Sequence, residues 1–497
     1  MIGNVVVRSA LPAAGALPSR HVLVLVPHDA AIAEVPEADV LRTVLARRNL
    51  GWGGNSNAVI TGDVSGALVA WQALDRSHST FGLQQAIRKA LEPLFLERPA
   101  HLALVIAGTP RDRERFARLA VFTALANSRY RPGGGRERLE LLAIHGVSPD
   151  LDFASERAVA HGNMIARELT VAAPNRLTPG ALRERVRELA RTQGWSVEEH
   201  SLEDLRRLGC GAFCCVARAS PRGDAAIVRI RYRPRRGTSG RVAIAGKGIC
   251  MDTGGYGMKS ARAMHGMHED MNGAAVALGI LHAATALDLP LAIDGWLAIA
   301  DNLLSPEAYL PGEVVTAFDR TTIEVVHPDA EGRMVLADTL AMAARDAPMA
   351  LLDFATLTNA MVSALGTRMS GVFSNRPELE RAAVECGRTC GERVVAFPLE
   401  ADYDEALVSA VADIRQCTDL GDADHILAAR FLQRFVSGTP WVHMDLSAYR
   451  NEAGLGAVSE NVTGFGVAWG VEMLGRIARG EDGLAARAAR RDLEIVG

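Results

Sequence analysis

Arg241-Val-Ala-Ile-Ala-Gly246 runs directly into Lys247-Gly-Ile-Cys-Met-Asp-Thr-Gly-Gly-Tyr-Gly-Met-Lys259, and this passage decides the reading of the chain. The first six residues form a short apolar run closed by Gly, which predicts a buried strand over 241–246. The stretch from Gly246 to Lys259 holds five Gly and three ionisable side chains, Lys247, Asp252 and Lys259. So many Gly where a strand ends point to close backbone packing. The spacing fits neither Gly-x-x-x-x-Gly-Lys-Ser/Thr nor Gly-x-Gly-x-x-Gly opening a helix, so a phosphate-cradling loop is set aside.

Working outward, strands and helices alternate. Strands are expected over 226–232, 291–299, 322–326, 349–354 and 441–446, and helices over 270–287, 334–346 and 423–437. Thr178-Pro179 opens a helix through Thr192, with Thr as cap and Pro in the first turn. Toward the amino terminus, 21–27, 102–108 and 138–145 read as strands and 81–95 and 111–126 as helices, with a loop at Arg131-Pro-Gly-Gly-Gly-Arg136. The organisation expected is a small α/β domain over 1–150, a linker helix over 151–170 and a larger α/β domain over 171–497. A chain of 497 residues is too long for one ordinary core.

Composition excludes several classes. Hydrophobic residues make up 48% and charged residues 23%, and the net charge is -4. This is the profile of a globular protein without the basic domain of a nucleic-acid binder. The Arg-rich stretch 111–118 alternates in sign, as a solvated helix face does. No apolar run approaches the roughly 20 residues that span a bilayer. Met1–Leu17 lacks the basic cluster and long apolar run of an export signal. Seven scattered Cys do not read as a disulfide framework, and a reducing, cytoplasmic location is expected.

Of the 54 Lys and Arg residues only Lys89, Lys247 and Lys259 are Lys. Arg cannot shed its proton in a protein, whereas Lys can and then offers a lone pair. Two of the three Lys fall in the one Gly-rich segment. Asp270 follows eleven residues later, and Asp329-Ala-Glu-Gly-Arg333 lies between a strand and a helix expected near Met334. Read as extended backbone, that run sends Asp329, Glu331 and Arg333 to one side. Four carboxylates and a deprotonatable Lys are enough to hold two divalent ions. Zn2+ suits such a site, and so do Mn2+ and Mg2+. His265 and His268 are left out of the ligand set, which is complete without them.

These residues, Lys247, Asp252, Lys259, Asp270 and Asp329-Ala-Glu-Gly-Arg333, resemble the signature of the M17 leucyl aminopeptidase family. Pro174-Asn-Arg-Leu-Thr-Pro179, Pro311-Gly-Glu-Val-Val315, Ala355-Thr-Leu-Thr358 and Thr463-Gly-Phe-Gly466 stand in the family's order, so the resemblance covers roughly 160–470. It implies a central mixed sheet flanked by helices and a two-metal aminopeptidase with a metal-bridging water as nucleophile. Asp252 and Glu331 would contact both metals. Asp270 and the amine of Lys247 would complete one site and Asp329 the other. Lys259 would face the substrate carbonyl, and Arg333 would hold bicarbonate as general base. Met267, Thr356, Leu357, Asn359 and Val462 would border the pocket for the first side chain of a peptide substrate. The resemblance further implies a homohexamer.

The sequence departs from the family pattern at His327-Pro328, where Asn-Thr is usual, at Asn359, where Gly is usual, and over Asp422-Ala-Asp-His425 in place of a Gly-rich turn. The departure at Asn359 predicts a buried amide in the pocket wall and a narrower or more polar preference. A narrow dipeptidase and a DNA-binding member of the family stay as alternatives, the second weakened by the acidic balance.

Overall fold

The computed structural model describes residues 4–13, 15–53, 59–128, 139–220, 223–419 and 421–481. The loop expected over Arg131–Arg136 lies outside them. The chain forms two compact units. The first comprises Met1–His161, Arg388–Gly391 and Glu452–Thr463, and the second comprises the rest.

The first unit is built on a six-stranded sheet in the order Asn4–Arg8, Leu141–His145, His101–Ile106, His21–Pro27, Ala67–Leu74, Ile60–Val64. All neighbours are parallel except the last pair. Strands buried on both faces read as unbroken apolar runs, which is why His21–Pro27 and His101–Ile106 were legible. Helices Thr80–Leu96 and Pro110–Ala126 contribute to one core with Leu23, Leu25 and Leu104. The second helix opens on a capping box between Thr109 and Asp112, with Pro110 in its first turn.

The second unit carries an eight-stranded mixed sheet in the order Val394–Ala396, Ser370–Ser374, Trp441–Asp445, Ala350–Ala355, Arg241–Asp252, Ala292–Asn302, Ala226–Tyr232, Ser196–Ser201. At its centre, Trp441–Asp445, Ala350–Ala355, Arg241–Asp252 and Ala292–Asn302 run parallel to one another. Helices lie on both faces. Ala243 and Ala245 pack into the core that holds Met334, Leu336 and Leu340 of helix Glu331–Arg345. Gly246, on the alternate face, meets helix Asn272–Ala286, where a Cβ would stand 2.6 Å from the Gly273 carbonyl oxygen. Gly here lets helix and strand approach.

Two expectations change. The strand begun at Arg241 does not stop at Gly246 but continues to Asp252, paired along its length with Ala292–Asn302. Its other neighbour stops sooner, since Phe354 pairs with Gly246 and ends that ladder. Lys247 is thus the first residue past the end of the shorter strand. The second correction concerns Asp329–Arg333, which is not extended throughout. The helix begins at Glu331, three residues before the expected start, so Glu331 and Arg333 leave from its first turn. Gly332 disguised this start, since Gly in a helix is read as a breaker.

Candidate metal centre

In open α/β sheets, binding residues gather beyond the carboxyl ends of the parallel strands. Here Arg241–Asp252 delivers Lys247 and Asp252, Ala350–Ala355 leads into Thr356 and Leu357, and Trp441–Asp445 ends on Asp445. All of these line one cleft of about 550 Å³ with Lys259, Asp270, Asp329, Glu331 and Arg333.

The carboxylates converge. Oxygens of Asp252, Asp329 and Glu331 lie within 4.8 Å of one another. Lys247, Asp252 and Glu331 are each 2% exposed. Lys247 Nζ stands 2.7 Å from Asp270 Oδ2 and 2.8 Å from Glu331 Oε1, and donates to the Thr356 carbonyl at 2.8 Å. Lys259 Nζ stands 2.7 Å from Asp252 Oδ2 and 2.5 Å from Asp329 Oδ1. Each Lys therefore ties together two of the four carboxylates.

Local sequence fixes this geometry. A Cβ on Gly332 would stand 2.8 Å from Lys247 Nζ and 2.8 Å from Leu357 Cδ1, so the close approach requires Gly between Glu331 and Arg333. Asn302, at the end of its strand, donates to Asp252 Oδ1 at 2.9 Å and to the Pro328 carbonyl at 3.1 Å. Tyr309 donates to the same Pro328 carbonyl at 2.6 Å. Thr356 Oγ1 donates to Asp270 Oδ1 at 2.6 Å. Sequence reading missed Asn302 and Tyr309, because neither carries a charge near neutral pH and both come from strand and loop remote in the chain.

Packing like charges out of water shifts their titration. Burial, reinforced by Glu331 and Asp252, pushes Asp270 up to about 8 despite Lys247 beside it. Burial and Asp252 push Asp329 up to about 6. Glu331 is raised for the same reasons. Burial opposes the charge on Lys247, but Asp270, Glu331 and Asp252 outweigh it and hold the ammonium above its ordinary range.

Arg333 is 2% exposed and its guanidinium is directed by two partners. Nη1 donates to the Gln416 carbonyl at 3.2 Å, and Nη2 donates to Asp424 Oδ1 at 2.7 Å and Oδ2 at 2.9 Å. Gln416 also accepts from the amides of Val326 and His327, and donates to the Ala330 carbonyl. It thereby ties down the loop that presents Asp329. Sequence reading did not single out Gln416.

The expected pocket residues Met267, Thr356, Leu357 and Asn359 line the cleft. Asn359 is exposed, at the first position of helix Asn359–Leu365, so the expectation of a buried amide is corrected. Val462 is buried within Glu452–Thr463, a segment of the first unit, whereas the cleft lining comes from the second.

The catalytic-domain model of the cytosol aminopeptidase family, Peptidase M17, matches residues 164–470, more than half of the chain. The chain belongs to the cytosol aminopeptidase family. Membership places it among the peptide hydrolases, and the α/β architecture with its mixed sheet is the one the sequence led us to expect. A probable cytosol aminopeptidase of Syntrophotalea carbinolica is 40% identical over 337 residues, 67% of each chain. One from Nitrobacter winogradskyi is 37% identical over 327 residues, 65% of this chain and 64% of the other. The alignments thus span about two thirds of these family members. Among solved structures, a bottromycin maturation enzyme in complex with Mn superposes with a TM-score of 0.81 at 30% identity, over 93% of this chain and 100% of that one. A mutant tomato leucine aminopeptidase shares the fold with a TM-score of 0.84 at 24% identity, over 96% and 97% of the two chains. Among the described residues no helix is long and apolar enough to cross a membrane.

Proposed function

We propose that this chain is a metal-dependent aminopeptidase that removes the amino-terminal residue from peptides. The observation that carries this reading is the convergence of Asp252, Asp329 and Glu331 within 4.8 Å, with Lys247 and Asp270 alongside, at the end of a cleft. Carboxylates and a Lys amine are a donor set suited to two divalent ions, Zn2+ or Mn2+. Lys247, Asp252, Asp270, Asp329 and Glu331 would hold them. Bound there, the ions supply Lewis acidity to the scissile carbonyl and to the attacking water.

The rest is the work of the chain's own groups. Lys259 is the cation that faces the substrate carbonyl and stabilises the developing oxyanion. Its ammonium is favoured in this place, since Asp252 and Glu331 outweigh the cost of burial. Lys247 would offer its neutral amine as a ligand, which an Arg could not do. Met267, Thr356, Leu357 and Asn359 border the first side chain of the substrate. Arg333 anchors the carboxylate that serves as base. The resemblance supplies that carboxylate as bicarbonate, yet Nη2 of this guanidinium already carries Asp424.

The catalytic domain in this reading is 171–497, joined through a linker helix over 151–170 to the domain over 1–150. The protein acts in the cytoplasm as a homohexamer, and nucleic acid is not a partner. The test is a panel of peptides and leucyl amides assayed with metal content measured on the same sample. Chelation should abolish release of the first residue, and Zn2+ or Mn2+ should restore it. A metal-loaded, folded protein that releases no amino-terminal residue from any peptide in the panel would end this reading.

A further inference from the structure

Peptide hydrolysis by water needs a proton acceptor beside the nucleophile, and the acceptor must be a group with a lone pair to spare. The carboxylates that line the cleft differ in this respect. Asp252, Asp270, Asp329 and Glu331 are bound up with Lys247 and Lys259 and form the proposed ligand set. Asp445 is 1% exposed and accepts from the Leu357 and Thr358 amides and the Thr358 hydroxyl, a structural role. Asp419 is exposed at the cleft. Asp424 remains. It lines the cleft, its side chain is 24% exposed, and both oxygens are fixed by Arg333, whose side chain is 2% exposed.

The backbone is arranged to present it. Asp424 is the first residue of helix Asp424–Gln433, where the helix dipole favours a carboxylate. The preceding Ala423 adopts φ +52, a left-handed conformation that a non-Gly residue rarely takes without compensation. Both oxygens accept from one nitrogen, Nη2, of the buried guanidinium, a charge-assisted contact that leaves outward lone pairs on each carboxylate oxygen.

Resting on the aminopeptidase reading, we propose that Asp424 is the general base of this enzyme, a carboxylate supplied by the chain itself and held by Arg333 where an external bicarbonate would otherwise be required. In the first step the water oxygen bonds to the scissile carbonyl carbon as one O–H bond breaks, the proton passes to Asp424 and the C=O π pair moves onto the carbonyl oxygen. The oxyanion pair then re-forms the carbonyl as the C–N bond breaks, the C–N pair stays on nitrogen, and the proton moves from Asp424 to the leaving amine. No external anion enters the cycle.

The experiment compares the parent, Asp424→Ala and Asp424→Ala/Arg333→Ala, each with metal content and thermal unfolding checked. In carbonate-free buffer the parent should turn over a leucyl amide at a rate that added bicarbonate leaves unchanged. Asp424→Ala should lose roughly a hundredfold or more in kcat, and added bicarbonate should restore it by filling the emptied guanidinium. The double variant should not be rescued. Carbon-13 bicarbonate should show line broadening with Asp424→Ala, and not with the parent, with or without metal. A parent stimulated several-fold by bicarbonate would overturn the proposal, as would a folded, metal-loaded Asp424→Ala that turns over like the parent. If the metal-loaded parent hydrolyses no amide at all, the aminopeptidase reading itself fails. The line-broadening comparison still reports on the Asp424–Arg333 arrangement in that case.

Discussion

Gly332 has no Cβ, and the space where one would stand belongs to Lys247, whose Nζ lies 2.8 Å from that point. The absence of one methyl group lets the Lys amine reach both Glu331 and Asp270. Gly332→Ala should displace Lys247 and Leu357 together. The expected outcome is a folded protein that has lost metal from one site and most of its turnover. Metal stoichiometry by elemental analysis, set against circular dichroism, checks it. Full metal occupancy with unchanged activity would show that the close approach is unimportant.

Lys247→Arg tests the amine itself. Arg keeps the positive charge that pairs with Asp270 and Glu331 but cannot release a proton to bind metal. The fold should persist, and one ion per chain should be lost. A variant with normal metal content and turnover would remove Lys247 from the ligand set.

Lys259→Ala should leave metal content unchanged and lower kcat by roughly a hundredfold, the usual scale for losing an oxyanion donor. KM should move far less than kcat. A variant whose loss falls wholly in KM would assign Lys259 to binding.

Metal uptake should release protons. Without metal, burial and neighbouring carboxylates raise Asp270 to about 8 and Asp329 to about 6, which favours their protonated forms. Lys247 is an ammonium. Ions require the opposite forms, and affinity should fall as pH is lowered toward 6. Stability of the chelated protein runs the other way. A raised carboxyl stabilises fully below its unfolded value of 3.8 and loses that contribution as pH climbs through about 8. The chelated protein should therefore melt lower at pH 8 than at pH 5. Calorimetry in buffers of different ionisation enthalpy counts the protons, and a count of zero at neutral pH would contradict the ion-pair arrangement.

Asp338 holds the second unit together away from the cleft. It is fully buried and accepts from the amides of Phe213 and Phe318, both at 2.7 Å. Asp338→Ala leaves the buried Phe213 amide and the part-buried Phe318 amide without an acceptor and should cost about 1–3 kcal/mol for the first, with a smaller addition from the second. Denaturant unfolding measures this, and a loss below that range would mean that water or relaxation serves those amides.

The site was legible in sequence where chemistry restricts residue choice. Among so many Arg, the survival of Lys247 and Lys259 marks two positions where a Lys is needed, and both line the cleft. Thr178 and Pro179 likewise announced a helix, and the Thr178 hydroxyl accepts from the Ala181 amide. Other features depended on tertiary contact. Gly332 reads as a breaker until Lys247 is placed against it. Asn302, Tyr309 and Gln416 are ordinary polar residues until the fold carries them to Pro328 and Ala330. Asp424 stood in a segment noted only as a departure, and its role emerges once Arg333 is seen to face it across 91 positions of chain.

The paired Lys and carboxylates carry one more consequence. With two ammonium groups set among four acids, the cluster is half-neutralised by its own side chains, so assembly of the polypeptide does not have to wait for an ion. Folding and metallation then become separate events. The expected mark of such a chain is a fold that survives chelation and takes up a divalent ion afterwards without refolding.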